Sequence, residues 1–209
     1  MNGPRDHSAE VTIGAIRAAR TFSNIVSPPA IFAVLGLALA WAERDFWAGL
    51  LWAAVFGFFV SLAPILFILF MLRIGQITDL HMNTRQERYL PYLVSIVGST
   101  IALLAIRFYE GPELLSCLAI LNIIVLVVLA LVNTFWLISI HTASISAAAI
   151  IAGSVFSIWA GVLVLLLVIL VCWARLFLRR HTAGQVSAGL LLGLLSSIGL
   201  VLMGCFNDV

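Results

Sequence analysis

Lysine is absent from this chain of 209 residues, and all 11 basic side chains are arginine. Charge of either sign is scarce, at 10% of residues where soluble domains carry about 25%. Hydrophobic residues make up 63%. A chain this apolar cannot cover itself with polar surface, so its solvent is lipid. A soluble enzyme, a nucleic-acid-binding protein and a disordered regulator are thereby excluded. Aspartate is limited to Asp6, Asp45, Asp79 and Asp208, too scattered to hold a cluster of divalent metal ions. No carboxylate falls clearly within an apolar run, where an ion-coupled transporter usually needs one. The three cysteines, Cys117, Cys172 and Cys205, have no paired spacing for a zinc site or a disulfide framework, so packing is their expected role.

What the chain does have is long apolar runs. A hydrocarbon core about 30 Å thick calls for about 20 apolar residues in a helix, and helices are forced because backbone polar groups find no water there. The runs predict an all-α, polytopic transmembrane helix bundle with spans at 28–43, 46–72, 90–108, 114–137 and 183–205. The stretch 142–174 is too long for one crossing and is expected to turn between Gly153 and Gly161. This gives seven spans, or six if the region 90–137 is re-entrant. Residues 1–27 lack the apolar core of a cleavable signal peptide and read as a cytoplasmic or interfacial segment, followed by a membrane-embedded helical domain over 28–209. Pro28 and Pro29 open the first span, where a missing N–H costs least.

Counting crossings puts the loop 73–89, the polar break at Ser139–Thr142 and the basic stretch Arg175–His181 on one side of the membrane. Nine of the arginines belong to that side; Glu43, Arg44, Asp45, Arg107, Glu110 and Glu113 belong to the other. The positive-inside rule makes the arginine-rich side cytoplasmic, as in the inner membrane of a prokaryotic cell.

That side also collects chemistry. Its first segment carries Asp79, His81, Arg85 and Arg88 before Pro91; the second reads Ser139-Ile-His141-Thr142; in the third, Arg175 precedes His181 by six residues and Gln185 follows four later. Phosphoryl transfer needs charge on the non-bridging oxygens neutralised, and the planar fork of arginine does so with paired hydrogen bonds. Ser139 and the open amides of the helix carrying His141 would add a neutral cradle for an anion. One histidine can then attack phosphorus while the other protonates the leaving oxygen. Two imidazoles suffice, so no metal or other cofactor is demanded. Arg73, Arg179 and Arg180 are more simply topology signals and headgroup anchors. Glycines such as Gly36, Gly153 and Gly189 read as helix contacts, and the tryptophans as interface belt residues.

In this order the three segments resemble the signature motifs of the type 2 phosphatidic acid phosphatase superfamily. Ala174-Arg175 through His181 to Gln185 follows its pattern of serine, arginine, five residues, histidine, three residues and aspartate. Ser139-Ile140-His141 is similar to its proline-serine-glycine-histidine segment, and Arg85 and Arg88 before Pro91 resemble its arginine-proline end. The resemblance implies His181 as the nucleophile that becomes phosphohistidine, His141 as the general acid, and Arg88 or Arg85, Ser139 and Arg175 as phosphate ligands. Asp79 and His81 are further candidates for substrate binding. The chain departs from the pattern in having no lysine, in Ala174 for serine, in Ile140 for glycine and in Gln185 for the aspartate that orients the nucleophile.

The resulting expectation is a metal-independent membrane phosphohydrolase for a lipid phosphate or prenyl diphosphate. Two alternatives stand beside it: an enzyme that ionises or transfers a prenyl diphosphate in the same pocket, and a non-catalytic lipid transporter. Membrane lipids are the expected surroundings, nucleic acid is not an expected partner, and the oligomeric state is open.

Overall fold

The computed structural model describes residues 7–78, 82 and 84–206, with the backbone alone for 7–12. Asp79 and His81 lie outside the described residues. Among those described, the protein is helical throughout: α1 (His7–Ile25), α2 (Pro28–Glu43), α3 (Phe46–Gly57), α4 (Ala63–Arg73), α5 (Tyr89–Phe108), α6 (Glu113–Val132), α7 (Ile140–Val155), α8 (Ile158–Phe177) and α9 (Ala183–Leu202). A π-helical turn, Phe58–Leu62, joins α3 to α4 without a break, and a short 3-10 turn, Gln86–Arg88, leads into α5.

Five segments are long and apolar enough to cross a bilayer: Phe46–Arg73, Gln86–Phe108, Glu113–Val132, Ile158–Phe177 and Ala183–Leu202. A sixth is counted if Ile13–Ile25 and Pro28–Glu43, bent by 46° at their junction, form one broken span. Seven full-length spans are not present among the described residues. Helices α2 and α7 have 16 residues each, about 24 Å of helix against a hydrocarbon core of about 30 Å. The boundaries otherwise fall close to those read from the apolar runs. The run taken as 114–137 stops at Val132, and the turn expected between Gly153 and Gly161 comes at Phe156 and Ser157, where Ser157 accepts from the Ala160 N–H and caps α8.

Helices α6 and α7 are the interior. Leu115, Leu118, Leu121, Val125 and Leu129 bury nearly all their surface on α6, and α7 is buried on every side from Thr142 to Ala149. Leu163, Leu166 and Ile169 of α8 face outward, as a lipid-facing surface should. Small residues let α9 lie against α7. A Cβ on Gly189 would strike Thr142 Oγ1 and the Ser139 carbonyl, and one on Gly193 would strike the Ala143 carbonyl and Ser146 Oγ. Across the same seam Thr142 Oγ1 donates to Val186 O at 3.2 Å and Ser146 Oγ to Leu190 O at 3.2 Å. Backbones that approach this closely replace the hydrophobic drive that lipid cannot supply.

Two features depart from the sequence reading. Cys117 and Cys205 form a disulfide across 88 residues, where packing alone was expected; Cys172 is the free cysteine. Residues this far apart give no local spacing signal, and only the packing of the start of α6 against the end of α9 brings them together. The second is α1, which packs along α8 with Ala19 and Ser23 buried.

Candidate active site

The chain turns sharply after α8. Leu178 N donates to Ala174 O and Arg180 N to Arg175 O at 3.1 Å, with Arg179 between them at φ 51°. This is the reversal that usually takes glycine, because a Cβ is strained in the left-handed region. Two residues later Thr182 caps α9. It accepts from the Gln185 N–H, and Gln185 Oε1 accepts from the Thr182 N–H at 3.1 Å, a reciprocal capping box. His181 is held between the two motifs and is only 7% exposed.

The capping box fixes the tautomer of His181. A backbone N–H can only donate, so the atom of Gln185 facing Thr182 is the amide oxygen. That oxygen also lies 3.1 Å from His181 Nδ1, and an acceptor there requires Nδ1 to carry the proton. Nε2 is then the lone pair. Burial first, and then the positive charges of Arg175 and Arg88, hold the imidazole pKa down to about 4 from its ordinary 6.5. His181 is therefore a neutral imidazole whose Nε2 carries the lone pair.

Arg175, in the last turn of α8 and six residues before His181, is 3% exposed. Its Nη1 donates to Ser23 Oγ of α1 at 3.2 Å, and its Nε is buried without a hydrogen bond. The charges acting on it are those of Arg180 and Arg88, so among the described residues no carboxylate neutralises it. Arg88, at the head of α5 and 7% exposed, donates from Nε to Met82 O at 2.8 Å. Burying one guanidinium without a counter-charge costs several kcal/mol. An anion beside Arg175 would offset that cost.

Arg88, Arg175, His181 and His141 all line one cavity of about 400 Å³, a volume suited to a small ligand or part of a larger one. Ile140 and His141 begin α7, so first-turn amides stand at the cavity wall, where an anion is favoured. Below the arginine layer the lining is mostly apolar, with Pro28 and Phe32 of α2, Pro64 and Ile68 of α4 and Leu126 of α6. The π turn beside it relieves Pro64, which has no N–H for the preceding turn, and Ser61 within that turn donates to Pro29 O at 2.8 Å.

The residues singled out in the sequence divide into three groups. His141, His181, Arg88 and Arg175 come together at the cavity, with Gln185 directly behind His181. Arg85 points elsewhere: it is exposed and its Nη1 donates to Thr134 O at 3.2 Å. Ser139 lies outside the lining, fully buried, with its N–H on Gln185 O at 3.2 Å and its Oγ without a hydrogen bond. Asp79 and His81 lie outside the described residues. Missed altogether were Ser23, Tyr92, Ser95 and Asn122. Ser23 carries no signal in a segment read as cytoplasmic or interfacial. Tyr92 and Ser95, in contrast, stand at helical spacing from Arg88, and that periodicity was available.

No protein-family model, curated protein or solved structure matches this chain. The chemical reading of the cavity therefore rests on the chain's own residues.

Proposed function

We propose that this integral membrane protein is a phosphohydrolase that removes phosphate or diphosphate from a lipid, through attack of His181 Nε2 on phosphorus. The observation that carries the reading is Arg175: a guanidinium buried to 3% exposure, without a carboxylate among the described residues, on the wall of a cavity shared with two histidines. Phosphate oxygens supply the missing counter-charge, with Arg88 and Arg175 gripping them and the first turn of α7 adding amide donors. Nε2 of His181 forms the bond to phosphorus as the bond to the lipid oxygen breaks; His141 delivers the proton to that oxygen, and water then hydrolyses the phosphohistidine. The apolar lower cavity accommodates the first part of the hydrocarbon tail.

The arginine excess supports a site on the cytoplasmic side. The disulfide gives independent support. Cys205 follows the end of α9, while His181 precedes its start, so the disulfide sits at the opposite end of the bundle, where an oxidising compartment is required. The resemblance to the type 2 phosphatidic acid phosphatases agrees with this assignment of roles, with glutamine in the place of the orienting aspartate.

The test is turnover by purified protein in detergent, given phosphatidate, undecaprenyl diphosphate and geranylgeranyl diphosphate. Release of phosphate together with the dephosphorylated lipid supports the proposal. Pyrophosphate with a rearranged hydrocarbon would replace it by diphosphate ionisation, and no product from any of the three would refute it.

A further inference from the structure

The cavity continues beyond the arginines along a polar stripe. Arg88, Tyr92, Ser95 and Ser99 repeat at i, i+4, i+7 and i+11 on one face of α5, and the first three line the cavity together with Asn122 of α6. At 1.5 Å per residue, Ser95 lies about 10 Å and Ser99 about 16 Å along the helix from Arg88. The facing wall, with Phe32, Val60 and Ile68, is apolar.

Asn122 is 5% exposed and stands halfway along its span. Its Nδ2 donates to Ser99 Oγ at 2.8 Å, and the Ser99 hydroxyl donates to Ser95 O at 2.8 Å. With its proton committed to that carbonyl, Ser99 Oγ can only accept, so the amide must present its NH2 group to it. Among the described residues the carbonyl oxygen of Asn122 receives no hydrogen bond, and the side chain stands on the wall of the cavity. One interhelical bond accounts for the NH2 group. It does not account for the oxygen, which belongs to a side chain that lines the cavity and can accept from whatever fills it.

We infer that the Asn122 carbonyl and the Ser95 hydroxyl form a second polar subsite, which takes a hydrogen-bond donor carried on the chain of the ligand. The preferred substrate is then a lipid phosphate with a hydroxyl some 10–16 Å from its phosphorus by the same helical rise, rather than a plain acyl or prenyl chain. This rests on the proposed function only in seating the phosphate at Arg175.

The test compares the binding of decyl phosphate and 10-hydroxydecyl phosphate to the full chain in detergent. The expected result is about fivefold tighter binding of the hydroxylated probe, the worth of one hydrogen bond, with the preference lost in Asn122→Leu and reduced in Ser95→Ala. Equal affinity of the wild-type protein for both probes, or a preference that survives Asn122→Leu, overturns the subsite and leaves the phosphate reading intact. A preference that persists while Arg175→Met weakens neither probe keeps the subsite and overturns the phosphate reading. Binding of neither probe overturns both.

Discussion

At the scale of single residues, the behaviour of the site follows from the neutrality of His181. Its pKa of about 4 in the folded protein, against 6.5 for an ordinary histidine, keeps the proposed nucleophile unprotonated well into acid. The acidic limb of the kcat/KM profile, which reports the free enzyme, is therefore expected nearer pH 4 than pH 6.5. A limb at the ordinary histidine value would mean that the nucleophile is not this buried ring. The same shift acts on stability. The unfolded chain binds the proton first, so the contribution of His181 is complete above about pH 6.5 and is lost as pH falls toward about 4. His181→Gln should flatten that slope in thermal unfolding. Gln185→Glu keeps the length needed to reach both Thr182 N and His181 Nδ1 while adding the charge that the amide lacks. It should raise phosphate release and move the acidic limb upward; in a serine triad, loss of the comparable charge costs about 10⁴ in kcat. The spacing of Arg175, His181 and Gln185 was legible in the sequence because one helix end and one cap hold all three. The separation of Arg88 from Arg85 was not, since only the 3-10 turn before α5 decides which of the two enters the cavity.

Elements carry the precision of the site. Arg179, at φ 51°, occupies a position where glycine would relieve about 1 kcal/mol of strain. Arg179→Gly is expected to raise the Tm by a few degrees, and an unchanged or lower Tm would show that the guanidinium contributes more than the strain costs. The seam between α7 and α9 is the second control. Gly189→Ala places a methyl group against the Ser139 carbonyl and Thr142, pushing away the helix that carries His141. The expected cost is about 1–3 kcal/mol with a marked loss of turnover, measured by unfolding and phosphate release on the same preparation. The apolar runs located these helices to within a few residues, since lipid leaves the backbone little choice. The bounds 28–43 already made α2 short of the hydrocarbon thickness; the continuous run 142–174 hid that α7 is equally short.

For the whole molecule, the decisive relation is between its two ends. Arginines and histidines gather at one, and the Cys117–Cys205 disulfide with the Arg107–Glu113 ion pair at 2.7 Å lies at the other. Helix alternation made the first end legible. The disulfide was hidden because its cysteines are 88 residues apart. Replacing both with serine should lower stability by about 2–4 kcal/mol while leaving the chemistry at the far end intact; loss of turnover in a folded double variant would mean that the two ends are coupled. The central claim is that His181 attacks phosphorus. Its most direct test is quenching in alkaline detergent during turnover of a lipid substrate labelled in its terminal phosphate. The expected result is base-stable, acid-labile label on the wild-type protein and none on His181→Ala. Label that survives this substitution, or rapid phosphate release without a phosphoprotein under any quench, would contradict the account.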